Sequence, residues 1–532
     1  MSYTTTSRVN QLLGEVTLAP FSLQEDERFP HSDWTERKTL YEEWEQWFDG
    51  TKLEEKQNQG GKAVDKYPVK INPIRGAVFK HAYALFGEFA SDSRPLVPPI
   101  LKPDDMALKD DAQIAQNFLN AVWSESFGRT IQMRNAMLSQ VFGGCAFKVS
   151  YVPRQTWRRY PIRIESVHPA NFIGIPMAGD EYRLQEAWII KTISEQEAVD
   201  YGVPIRQSED GYIYFVEHWL PDNYEISING VAIPKPEGDG ETYAGENPFG
   251  VVPIVYIPHI RVSGFWGESL ISKNIEGIVE ELNKRVADVG DAVSADSHKY
   301  YKLINSMGLP EVVEIAPGIR ALVIKSNPAI TGKEQQAEFD EIGGNSSTQA
   351  MADLTTELYN HFRREAFVPA VADGEDEGSQ RSGQTLAMRM WPLLSHTSTE
   401  RVFWGDGLGL VDYMILKIAL LKKIGNLPKS VKEMRIERRW PPILPRDREA
   451  FIAELVNRAG SKLGSQTHLL SLIDDIEDPK GEFEEIKKNA QEMAEIQAKT
   501  IAEGIVAKQS QSNAKPGTQG KSNTQDKGAT KK

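Results

Sequence analysis

The sequence predicts an α+β protein in which helices predominate, and three observations carry that reading. Residues 264–298 (GFWGESLISKNIEGIVEELNKRVADVGDAVSADSH) place Ile271, Ile275, Ile278, Leu282, Val286, Val289 and Val293 three or four apart, the spacing of one helix face. Between residues 146 and 257 the chain breaks into short β-branched and aromatic runs separated by Pro, Gly, Asn and Asp. A second helical stripe, Met351, Leu354, Leu358 and Phe362, follows a small strand-like insert. Two helices therefore return on each other with the insert at their far end.

In chain order, residues 34–48 carry Leu40, Trp44 and Phe48 at a four-residue step, one helix with an acidic outer side. Residues 72–89 space Ile74, Val78, Phe79, Tyr83 and Phe86 in the same way, and 109–142 predict two helices broken near Gly128. From Gly143-Gly144 onward, strands are predicted at 146–152, 160–167, 187–193, 212–219 and 251–257, and Asn229-Gly230 between apolar alternations predicts a hairpin. The run VHPANF (167–172) reads as a turn, with His168 structural and not catalytic.

The helix over 267–297 would be roughly 45 Å long at 1.5 Å per residue, more than the width of a small domain. Glu276, Glu280, Glu281, Lys284, Arg285 and Asp288 exclude it from a bilayer. In the insert, EVVEI (311–315) and ALVI (321–324) flank Ala316-Pro317-Gly318-Ile319, which suits a type II turn. Ser346 with Gln349 forms a capping box for the returning helix, which Pro369 ends. After a polar loop, 384–424 is helical in pattern but contains Pro392 and Gly405, Gly407 and Gly409, so a kinked or broken helix is predicted. A strand is expected in 431–440 and helices in 441–504. The stretch 508–532 lacks the apolar residues to offset its ordering entropy and is expected to be disordered.

A formal charge of -14 argues against a protein that grips DNA by neutralising phosphates, though not against one past which DNA slides. Cys145 alone permits no intrachain disulfide or Cys-based zinc site, which suits a reducing cytoplasm, and the N-terminus MSYTTTSRVNQLLGEV has no apolar core of a signal peptide. There is no GxxxxGK[ST], HExxH or GxSxG run, so an ATPase or hydrolase reading finds no support.

The segment PFGVVPIVYI (248–257), a turn, then Gly264, Trp266, Gly267 and Ser269, with Asn283 deep in the following helix, resembles the part of tailed-bacteriophage portal proteins where a wing strand feeds the first stem helix. VHPANF is similar to a turn in portal wings. SGQTLAMRM with the helix after it looks like the portal tunnel loop and its following helix, and residues 464–497 resemble a late helical segment. The resemblance covers roughly residues 100 to 500 and rests on the order of parts more than on any one motif.

It implies a portal-type fold: wing 1–262, first stem helix 263–298, clip 299–343, second stem helix 344–366, tunnel loop 367–383, long kinked helix 384–425, a strand returning to the wing at 426–440, crown 441–504 and tail 505–532. It further implies a homo-oligomeric, dodecameric ring at one capsid vertex, assembled in the host cytoplasm, with double-stranded DNA in its channel for packaging and ejection. Major capsid and scaffolding proteins, the terminase large subunit and tail adaptors are the implied partners. No catalysis, cofactor, metal or membrane contact is implied.

On this resemblance Asp373, Glu375, Asp376 and Glu377 would form an acidic collar facing the DNA, with Gln380 and Arg381 able to touch phosphates. Lys299, Lys302, Lys325 and Lys333 would form a basic belt at the clip, or serve only solubility, and Ile271, Ile275, Ile278, Leu282, Val286, Val289, Leu354 and Leu358 would pack the stem. Asp373, Glu375, Glu377 and Gly378 also imitate the first half of a calcium loop, but Gln384 stands where a bidentate glutamate belongs. Trp157, Arg158, Arg159, Tyr160 and Arg163 interleave base and ring as nucleic-acid binders do, although an exposed strand has the same composition. Two other classes remain open at this point: a metal-dependent nucleic-acid enzyme using the acidic loop, and a virion scaffold that forms no ring.

Overall fold

The computed structural model describes residues 31–53, 70–87, 95–103, 105–152, 157–203, 211–235, 241–297, 300–304, 311–316, 319–323, 338–342, 348–374, 383–443, 448–473, 476 and 479–512. The chain is α+β and divides into two compact units, Met1–Pro445 and Arg446–Lys532.

In the first unit, α1 (His31–Asp49) buries Tyr41, Trp44 and Trp47. Helix α2 (Pro73–Phe86) begins on a proline, whose missing N–H is no loss at a helix start, and buries Ile74, Val78, Leu85 and Phe86. After the short strand β1 (Pro99–Lys102) come α3 (Lys109–Glu125) and α4 (Gly128–Phe142), parted where Phe127 takes the left-handed conformation at φ 56°.

Two antiparallel sheets follow. β2 (Gly144–Tyr151) lies between β3 (Ile162–Val167) and β10 (Ile254–Pro258) in the first. The second runs β4 (Phe172–Met177), β5 (Asp180–Thr192), β6 (Tyr214–Trp219), β7 (Asn223–Ile228) and β8 (Val231–Ala232), with β9 (Ala244–Glu246) also on β7. The one-turn helix α5 (Glu195–Asp200) opens on a capping box from Ser194 and Glu197. At the β7–β8 turn both Asn229 (φ 45°) and Gly230 (φ 76°) are positive, as the favoured two-residue hairpin demands. His168 is structural: its Nδ1 accepts from Ala170 N at 3.2 Å.

Next come α6 (Lys273–Ser297), β11 (Tyr300–Ile304), β12 (Glu311–Ala316), β13 (Ile319–Val323), β14 (Glu338–Ile342) and α7 (Thr348–Glu365). β11 pairs with β14 and β12 with β13, all antiparallel. Pro317, Gly318 and Ser346 lie outside the described residues.

The expected kinked helix is two helices, α8 (Gly383–Arg389) and α9 (Trp391–Leu421), parted at Met390. Pro392 stands in the first turn of α9 instead of bending it, and Gly405, Gly407 and Gly409 lie in unbroken helix. Gly407 has a packing reason, because a Cβ there would meet Ile257 Cγ1 at 2.4 Å, so α9 approaches β10 as only glycine allows. β15 (Arg435–Arg438) joins β1 in a two-stranded sheet of its own and not the larger sheets. Buried Arg438 ties it to Asp412 of α9, which also accepts from Trp123 Nε1 at 2.7 Å.

The second unit holds α10 (Arg448–Gly460), α11 (Gln466–Leu470), capped by the Ser465 hydroxyl, and α12 (Pro479–Ser512). Residues 508–512 continue α12, contrary to the disorder expected of them; the remainder of that tail lies outside the described residues.

Candidate functional site: the paired long helices

The approach to α6 is a backbone crossing. A Cβ on Gly143 would stand 2.4 Å from Gly267 O, and one on Gly267 would stand 2.2 Å from Gly143 O. Arg37 Nη2 clamps the crossing by donating to Phe142 O at 3.1 Å and Gly267 O at 3.0 Å. Ser269 Oγ donates to Val141 O at 2.6 Å and accepts from Ile271 N at 2.9 Å. These contacts hold residues 267–271 outside the helix, so α6 begins at Lys273 and Ile271 is buried ahead of it.

Within α6, Ile275, Val279 and Leu282 are buried, Ile278, Val286 and Val289 half-buried, and Val293 exposed. Val279, absent from the expected stripe, lies at its centre. Buried Asn283 behaves as a segment of strand: its Oδ1 accepts from Ile71 N at 2.7 Å and its Nδ2 donates to Ile71 O at 2.8 Å. In α7, Phe362 is buried and Leu358 half-buried, whereas Leu354 is 45% exposed. Ile275 and Val279 near the start of α6 share one core with Tyr359 and Phe362 near the end of α7. The two helices therefore pack antiparallel, with β11 to β14 between them in sequence at the far end.

Helix α7 closes by hydrogen bonds from Phe367 N to Arg364 O and from Val368 N to Arg363 O, with Phe367 left-handed, before Pro369 is reached. A single turn, Ala370–Asp373, follows. Here the structure corrects one assignment: the Asp373 carboxylate is taken up by Lys80 of α2 and by Arg363 at 3.0 Å, and so belongs to the fold and not to a free collar or a cation loop. Glu375, Asp376, Glu377, Gln380 and Arg381 lie outside the described residues, as do Lys299, Lys325 and Lys333. Lys302 stands in β11 opposite Asp340.

The basic and aromatic run is mostly committed to the fold. Arg158 donates to Ser126 Oγ and Ile162 O, the backbone N–H groups of Arg159 and Tyr160 donate to Glu125, and Arg163 pairs with Glu165.

Below the ends of both long helices lies a buried polar cluster that the sequence reading missed. His81 comes from α2, His259 from the turn after β10, and His396 and Glu400 from α9. The His81 and His396 rings are 4.6 Å apart between centroids and those of His259 and His396 5.1 Å. Burial pushes His81 and His259 down to about 4 and His396 to about 2, and lifts Glu400 to about 8, so it disfavours the charged form of all four. Its one local signal was the four-residue step from His396 to Glu400, which puts both on one face of α9.

No described helix is long and apolar enough to cross a membrane. Two long antiparallel helices bracket a strand insert, and a third long helix follows them in sequence. Residues 216–496, just over half of the chain, match the family described as phage portal protein, SPP1 Gp6-like, and the chain belongs to that family. Membership makes it a bacteriophage virion protein of the capsid vertex, in a family that is structural and assembles with copies of itself and other phage proteins. No curated protein matches the chain.

Proposed function

We propose that this chain forms a closed ring, a dodecamer within the phage head, whose channel carries DNA in during packaging and out during ejection. In this reading α6 and α7 are the stem, β11 to β14 the clip that meets the terminase large subunit and later the tail adaptors, and residues 374–382 the loop beside the duplex. The first unit up to residue 262 is the wing and the helices after 441 the crown. The ring nucleates head assembly with the capsid and scaffolding proteins in the host cytoplasm.

The observation that carries this reading is the helix pair itself. Its base is buried in the chain's own core, whereas Val293 (51%) and Leu354 (45%) toward the far end are exposed. A neighbouring copy of the pair would cover these apolar side chains. The net charge of -14 agrees with a wall that lets phosphates slide.

The test replaces Glu375, Asp376 and Glu377 together with alanine, leaving Asp373 in place, and measures ring formation and the length of DNA packaged. Rings that assemble normally but package or retain less DNA support a loop at the duplex. Loss of the ring would make the loop a subunit contact, and unaltered packaging would remove it from the channel.

A further inference from the structure

We propose that His259, His396 and Glu400 form a site for one divalent transition-metal ion of the zinc class. One ligand atom from each lies within 4.8 Å of the others, and all three residues are buried. Bonds of about 2.0–2.1 Å set tetrahedral donors roughly 3.4 Å apart, so an ion would draw the side chains inward by about 1 Å.

The hydrogen bonds already made are those of ligands oriented from behind. His259 Nδ1 lies 2.9 Å from Glu268 O, which fixes the proton on Nδ1 and leaves the buried Nε2 with a lone pair and no partner. Glu400 Oε1 accepts from Gln140 Nε2 at 2.7 Å, and its Oε2, buried with the Trp404 indole as its neighbour, makes no bond of good geometry. His396 Nδ1 is likewise buried without one. His81 repeats the pattern, with Nε2 2.7 Å from Ala366 O and Nδ1 unpartnered, and its ring lies 4.6 Å from that of His396.

The Arg401 guanidinium, which acts on Glu400 through its charge, does not fill the gap. Arg401 spends its guanidinium on the carbonyls of Leu85 at 2.9 Å and Pro441 at 2.8 Å. Two imidazoles and a carboxylate are the donor set a borderline divalent ion takes, whereas calcium and magnesium ask for oxygen alone.

The placement gives the ion a purpose. His259 holds Glu268 O just ahead of α6, and the His396 ring packs against Phe367 just after α7 at 5.0 Å, so one ion would tie the bases of both long helices. This inference stands on the cluster alone and not on the portal reading.

The full chain, free of any affinity tag, is stripped with a chelator and titrated with Co2+ and then Zn2+. Expected are one ion per chain, the d–d absorption of a low-coordinate Co2+ site bleached by Zn2+, an X-ray absorption signature of two imidazoles, and a melting temperature raised by Zn2+. Glu400→Gln, which keeps the bond from Gln140, and His396→Asn should each weaken binding by more than the about 10–100-fold lost with an outer-shell partner, and abolish the Zn2+ shift. A folded wild-type chain that takes up no stoichiometric Co2+ or Zn2+ overturns the site. Equal affinity in the wild type and both variants overturns it as well.

Discussion

Single residues explain features that composition alone would call ordinary. Asn283 sits in the buried face of α6, where an apolar residue would be expected, because it pairs with both backbone groups of Ile71. Asn283→Ala should cost about 2 kcal/mol in chemical denaturation, the price of two unmade hydrogen bonds at a part-buried backbone. Glu45 makes a second case. Burial, reinforced by Asp49 and Glu42, lifts its carboxyl from 4.5 to about 8, so the folded chain holds a proton there that the unfolded chain releases. The sign follows from linkage: that contribution is whole below pH 4.5 and is lost as pH rises through about 8. Glu45→Gln should therefore melt close to the wild type at pH 4.5 and increasingly above it toward pH 9; a constant gap would show that the carboxyl titrates normally.

At the scale of elements, what could be read in advance was what is local. The stripes of α6 and α7, the break between α3 and α4 and the Asn229-Gly230 hairpin depend on neighbours within a few residues. The start of α6 was misplaced because residues 267–271 are held by Gly143, Val141 and Arg37, more than a hundred positions away in sequence. Pro392 was misread as a kink because the same residue both opens helices and bends them. The histidine cluster escaped notice because three distant segments supply it, and Asp373 was counted with its acidic neighbours although Lys80 and Arg363 hold it. Asp373→Asn should thus lower stability by about 2 kcal/mol by weakening the tie between α2 and the end of α7, with rings still formed. A variant as stable as the wild type would show that the ion pair contributes nothing.

For the whole molecule, the account turns on repetition about an axis. A monomer leaves part of the far end of the α6–α7 pair exposed while burying its base, an arrangement that makes sense when copies stand side by side. A ring would also multiply the negative charge of each chain. Electron cryomicroscopy of the purified full-length chain puts this to the test most directly. The account predicts closed rings with a central hole, with α6 and α7 of every copy in the wall of that hole. Monomers, open filaments, or rings with this helix pair on the outer rim would contradict it.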